Sequence, residues 1–223
     1  MIPQLPIYIS VIFILTLAYT LFIFFKASHL SFKIIVLFLL WGGIQAALAY
    51  SGFYLNVDSF PPRFLLVLLP PLFMISLMFF SQKGKQFINQ LDLKTLTIIH
   101  IVRVPVEITL YMLFLHKSVP ELMTFSGRNF DIIAGLSAPI IYYFGFIKKT
   151  LNKKTILVWN VICLLLLLNI IVNAILSAPF QFQQFGFDQP NIALLYFPFV
   201  WLPSVIVPIV LFSHLAAIRH YLK

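Results

Sequence analysis

Charge is what this chain mostly does without: Asp, Glu, Lys and Arg make up 9% of its 223 residues, and acidic side chains number six. A soluble domain of this size needs a charged surface, so a soluble fold is excluded. The 61% apolar content fits an integral membrane protein instead. Cysteine is nearly absent. Cys163 stands alone in an apolar run, which excludes a disulfide framework and a cysteine metal site and leaves a buried structural thiol. No lysine falls inside an apolar stretch, so a retinal Schiff base has no candidate. Gly-x-Ser-x-Gly, His-Glu-x-x-His and phosphate-binding glycine loops are missing, which removes the common hydrolase and nucleotide signatures.

What is present is apolar sequence in long runs. A hydrocarbon core of about 30 Å takes about 20 residues of helix. Stretches of that order lie at 5–25, 34–55, 62–81, 95–115, 131–147, 155–178 and 191–217, the fifth being short. Continuous runs such as Ile162 to Leu168 do not alternate as barrel strands do. The expectation is an all-α, polytopic helix bundle with seven transmembrane helices in one membrane domain, residues 1–223. The connections are about a dozen residues at most, too short for a separate soluble domain. The first stretch has no basic region ahead of it, and is expected to be a retained helix rather than a signal peptide.

Basic residues are retained on the cytoplasmic side of a membrane, and here they separate into two groups. Lys26, Lys33, Lys83, Lys85, Lys94, Lys148, Lys149, Lys153, Lys154, Arg219 and Lys223 fall on one side, and Arg63, Lys117 and Arg128 on the other, with Asp58, Glu121, Asp131 and Asp188. This places the N-terminus outside and the C-terminus in the cytoplasm of a cytoplasmic membrane. The net charge of +9 is then an orientation signal and a contact with anionic lipid, not a nucleic-acid surface. Gln82 to Lys94, with Phe87, Ile88, Leu91 and Leu93, suits either a short surface helix or a linker. Ala178 to Asn191, with four phenylalanines, reads as an interfacial loop in preference to a lid.

With an outside N-terminus, helices one to three and five to seven share a direction, and the fourth inverts between them. That is the arithmetic of a 3+1+3 parallel repeat. Asp58-Ser59-Phe60-Pro61-Pro62 leads into a helix expected to be broken by Pro70-Pro71, and Asp188-Gln189-Pro190 leads into one expected to be broken by Pro198, Pro203 and Pro208. Proline-interrupted helices at corresponding places in two halves point to a transporter's binding region. In count and topology this resembles the layout of the SWEET sugar transporter class. The proline-glutamine signature of the related PQ-loop proteins is absent from the first helix, since Pro3-Gln4 lies ahead of it.

The fourth helix carries the chemistry. Arg103 and Glu107 are the charged residues counted inside the apolar segments, and His100, Arg103, Glu107 and Tyr111 recur at intervals of three and four, on one face. Pro105 lies between the charges and withholds an N–H from the carbonyl of Ile101, so a kink is expected there. In a structural reading Arg103 and Glu107 neutralise each other and fix packing. In a functional reading Glu107 exchanges protons or cations while Arg103 tunes it or holds an anionic substrate group. Gln45, Tyr142, Asn169, Asn173 and Ser204 lie at similar depth on other helices, and Asn169 and Asn173 share a face.

No cofactor is expected. His100 and His214 nevertheless reach similar depths near the cytoplasmic side, in number a bis-histidine set for a metal or haem iron. Packing histidines are the alternative. The functional expectation is a permease-like transporter or sensor of a small polar solute, with a midplane site at Glu107, Arg103, His100, Tyr111, Asn169, Asn173 and Gln45. The alternatives are a membrane-embedded enzyme on a lipid or isoprenoid substrate, using His100, Glu107 and His214, and an accessory subunit of a membrane complex. The bilayer is the expected partner, with no nucleic acid. A homodimer is open, with Gly42, Gly43, Ala46 and Ala47 as a small-residue patch.

Overall fold

The apolar runs become helices because a chain with no water to bond must satisfy its backbone within each segment. A computed structural model describes residues 1–29 and 32–223, without the side chain of Lys33, one of the basic residues counted above. Nine helices are present among the described residues, and no strand. They are α1 (Ile7–Ser28), α2 (Phe32–Tyr50), α3 (Leu65–Phe80), α4 (Gln82–Asn89), α5 (Leu93–Ile98), α6 (Arg103–Leu115), α7 (Ile132–Tyr142), α8 (Lys153–Leu176) and α9 (Val207–Tyr221). A 3-10 turn, Ile99–Val102, joins α5 to α6; π turns at Tyr143–Ile147 and Leu202–Ile206 extend α7 and precede α9.

Four helical stretches are long and apolar enough to cross a membrane: Ile7–Ser28, Leu93–Leu115, Lys153–Leu176 and Leu202–Tyr221. A fifth is the pair α3 and α4, bent by 87°, and the shorter apolar helices are Ile34–Tyr50 and Ile132–Ile147. The bend falls where Ser81 caps α4 by accepting from the Gly84 N–H. The turn is so tight that a Cβ on Gly84 would lie 2.3 Å from the Met78 carbonyl oxygen. Gln82 to Lys94 thus holds a helix rather than a plain linker. Its apolar side faces the bundle, with Ile88 buried and Phe87 stacked on Phe212 of α9.

Proline acts differently from expectation. α3 runs through Pro70 and Pro71 without a break. The effect expected of Pro105 appears as the 3-10 turn just before it, while Leu93–Leu115 continues as one stretch. Pro208 withholds its N–H from Ser204, inside the second π turn, and the Trp41 indole donates to that carbonyl at 3.1 Å. Trp201 returns the contact, donating to the Gly42 carbonyl at 2.8 Å. Gly42 is therefore engaged inside the chain, whereas Gly43 has open space around it.

The α5–α6 stretch lies between α1 and α7, α8 packs on α9, and α3 touches both α4 and α9. One buried apolar cluster joins residues from every helix except α7. The segment Ala178 to Asn191 is more than an interfacial loop. Phe180 is buried against Phe64, ring centres 5.8 Å apart, and Gln189 donates to the Phe114 and Val119 carbonyls.

Candidate functional site

α6 opens with Arg103, and α7 can reach it because of Gly135. A Cβ there would lie 2.8 Å from Val104 Cγ2 and 3.2 Å from Arg103 Cβ, so only glycine lets the two helices approach this closely. One turn before Gly135, Asp131 meets the guanidinium: Arg103 Nη1 lies 2.7 Å from Asp131 Oδ1. The ion pair is therefore Arg103–Asp131, not the Arg103–Glu107 pair expected from spacing. A partner facing Arg103 from another helix wins over one at i+4 on its own. Asp131, assigned above to an outer connection, is buried.

The guanidinium has two further contacts. Nη1 also donates to the Cys163 carbonyl at 3.3 Å, and Nη2 lies 2.9 Å from His214 Nε2. Arginine offers no acceptor, so His214 Nε2 accepts and Nδ1 carries the proton. Nδ1 then donates to Asn160 Oδ1 at 2.9 Å, while Asn160 Nδ2 donates to Ile156 O. His214 is thereby fixed as a neutral imidazole. His100 stacks on it, centroids 3.8 Å apart and planes 10° from parallel, and Trp159 lies edge-on to both rings.

Glu107, 2% exposed, has no ionic partner among the described residues. Its Oε1 accepts from Asn129 Nδ2 at 2.6 Å, and Oε2 accepts nothing. Asn129 is itself anchored, donating to Met123 O at 3.0 Å and accepting from the Asp131 N–H at 3.0 Å. The buried polar atoms left without partners include Glu107 Oε2, Arg103 Nε and His100 Nδ1, all on the one face of the fourth apolar stretch. A buried polar atom left unpaired costs about 1–3 kcal/mol. Three such atoms lie together on this stretch.

Of the residues expected at the site, Glu107, Arg103, His100 and His214 come together. The others do not. Tyr111 stacks on Phe125 at 4.8 Å, and Gln45 accepts from the Tyr54 hydroxyl at 2.6 Å in a separate contact. Asn169 lies on an exposed part of α8 and donates to Arg128 O, and Asn173 donates back to Asn169. Lys94 lies over the Tyr142 ring at 5.4 Å, and the Ser204 hydroxyl donates to Val200 O. The residues missed are Asn129, Asp131 and Asn160. Asn160 carried a signal, an amide within an apolar span, and Asp131 stood at the first position of the fifth stretch.

The two histidines do not suit a shared metal or haem iron. Stacked imidazoles aim their nitrogens side by side rather than at one centre, and both nitrogens of His214 are engaged. Among the described residues no group of three His, Cys, Asp or Glu side chains is placed to hold a metal. Beside the network runs a groove of about 450 Å³ lined by Tyr19, Val104, Pro105, Gly135, Leu136 and Pro139 among others.

No curated protein and no solved structure matches the chain. Residues 60–222 match a family model described as Domain of unknown function (DUF8737), and that range contains every residue of the network while leaving out α1 and α2. With well over half of its length matched, the chain belongs to the DUF8737 family.

Proposed function

We propose that this is a seven-span protein of a cytoplasmic membrane, N-terminus outside, which moves or senses a small polar solute at the buried network of His100, Arg103, Glu107, Asn129, Asp131 and His214. The spans in this reading are α1, α2, α3, the α5–α6 stretch, α7 with its π turn, α8 and α9. The distribution of lysine and arginine supports the orientation. The placement of the fourth span between α1 and α7 supports a 3+1+3 arrangement, in which those two helices correspond.

The observation that carries the functional reading is the network itself. Ionisable groups inside a membrane protein are costly and are kept for ion pathways, substrate contacts or proton relays. Here they converge from α6, α7 and α9 and leave Glu107 Oε2 without a partner. Native mass spectrometry of the protein from mild detergent, repeated on Glu107→Gln, tests this. A small polar molecule retained by the wild type and absent from the variant supports the reading. Equal spectra with nothing bound would return the network to a structural role and favour an accessory subunit.

The second reading is a membrane-embedded enzyme on a lipid or isoprenoid. The groove between α1, α6 and α7 favours it, because its lining is almost wholly apolar and includes Val102 and Val104, the chain neighbours of Arg103. A lipid held by the wild type and lost when Leu136→Trp fills the groove would favour this alternative.

A further inference from the structure

We infer that Glu107 is the binding site of a monovalent cation, an alkali ion or a small protonated amine, and that Asp131 is the fixed counter-charge of Arg103. The inference rests on the reading that the network binds a solute, and it names the class of that solute.

The argument is a charge count over the enclosed groups. The ionisable side chains that meet in the network are His100, Arg103 and Glu107 from the fourth stretch, Asp131 at the start of α7 and His214 on α9. Arg103 and Asp131 cancel at 2.7 Å. His214 is neutral by its hydrogen bonds: it accepts from Arg103 and donates to Asn160. His100 lies flat on that neutral ring, its Nδ1 bonded to nothing, and among the described residues no carboxylate pairs with it. A cation there would stand unpaired close to a guanidinium, so His100 is neutral as well. Glu107 remains. Its one donor is a neutral amide, and its second oxygen accepts nothing. The network therefore closes with one uncompensated negative charge when Glu107 is ionised. Enclosed charge of this kind is either removed by a proton or held by a counter-cation, and the test below separates the two.

This reverses the role expected for arginine. Arg103 has committed both N–H groups of Nη1 to Asp131 and Cys163 and one of Nη2 to His214, and its charge is already matched by Asp131, so an anionic solute would have to share Nε and the second Nη2 N–H of a paired guanidinium. Glu107 is 2% exposed and lines neither of the grooves described for the molecule, so an occupant of its free oxygen is expected to be small, an ion or a small amine in preference to a sugar.

The test is thermal unfolding of purified protein in mild detergent at constant pH and ionic strength, with N-methylglucamine chloride replaced stepwise by sodium, potassium or methylammonium chloride. An anion arm replaces chloride by gluconate. The expected result is a saturable rise in Tm with one small cation, about 5–11 °C at one hundred times its dissociation constant. The rise is indifferent to the anion, lost in Glu107→Gln and kept at higher cation concentration in Glu107→Asp. If Glu107→Gln fails to fold, the wild type and Glu107→Asp decide the matter. A wild-type Tm that follows pH alone and ignores cation identity overturns the inference, as does a cation shift surviving in Glu107→Gln. A neutral or anionic molecule found by native mass spectrometry and lost in Glu107→Gln would also overturn it, while leaving the solute reading intact.

Discussion

Asp131→Asn and Glu107→Gln remove the same formal charge from two carboxylates of one network, and they should have very different effects. Asp131 is the ionic partner of Arg103 at 2.7 Å, and both are buried. Removing one member of such a pair strands the other, at a cost of about 3–5 kcal/mol. For a protein of this length that corresponds to a fall in Tm of about 6–20 °C. Glu107 accepts one hydrogen bond from Asn129, which a glutamine oxygen can also accept, and it has no ionic partner. In N-methylglucamine chloride, where no small cation is offered to Glu107, its replacement by glutamine should stay within about 1 kcal/mol of the wild type. The double variant Arg103→Met/Asp131→Leu should recover much of the loss in Asp131→Asn, because a buried pair exchanged for apolar side chains is often neutral or stabilising. Tryptophan fluorescence during thermal unfolding in mild detergent is a suitable assay, since Trp159 lies 5.6 Å from His100 and 5.9 Å from His214 between ring centres. In that same cation-free buffer, a stable Asp131→Asn beside a Glu107→Gln that loses several degrees would refute the reasoning and make Glu107 the counter-ion of Arg103.

Three further outcomes are expected. Gly135→Val should lower stability by about 1–3 kcal/mol, since even a Cβ would meet Val104 at 2.8 Å; a folded variant with unchanged Tm would show that α6 and α7 yield easily. His214→Phe should cost more than about 2 kcal/mol by leaving Arg103 and Asn160 short of partners, whereas His100→Phe keeps the stacked ring and should change Tm little. Trp41→Phe should cost more than Trp201→Phe, about 1 kcal/mol or above, because Trp41 donates to a carbonyl that Pro208 leaves without its helical donor while Gly42 sits in a regular helix; equal Tm values would remove that distinction.

The helices were legible because apolar runs carry their own backbone hydrogen bonds, and hydropathy reports their placement directly. That Gln82 to Lys94 could hold a helix was legible for a similar reason, its apolar residues being set among polar ones, although a plain linker was equally open. The centre was legible only in part. His100 and His214 could be brought together by counting residues from the basic ends of their helices. The ion pair could not, because spacing along α6 offers Glu107 and says nothing of what faces Arg103 across 28 residues of sequence. Asp131 also sits where a helix begins, and charge at such a junction reads as solvent-facing until Gly135 is seen to draw α7 onto α6. Asn129 precedes the helix in an irregular segment, which periodicity does not describe. Asn169 and Asn173 misled because sharing a face fixes a direction relative to each other and not toward the core.

The segment from Ser118 to Asn129 is buried over much of its length yet contains only one short 3-10 turn, Glu121–Met123. Side-chain amides and short loop contacts hold it instead: Gln189 on the Val119 carbonyl, Asn129 on Met123, and the Ile192 and Ala193 N–H groups on Ser118 O. Such attachments break one at a time, whereas a helix resists as a unit. The molecule is consequently a lopsided spring, compliant where these loops meet and stiff along α8 and α9. Amide hydrogen exchange should spread inward from that end, reaching Glu107 through Asn129 before either long helix opens.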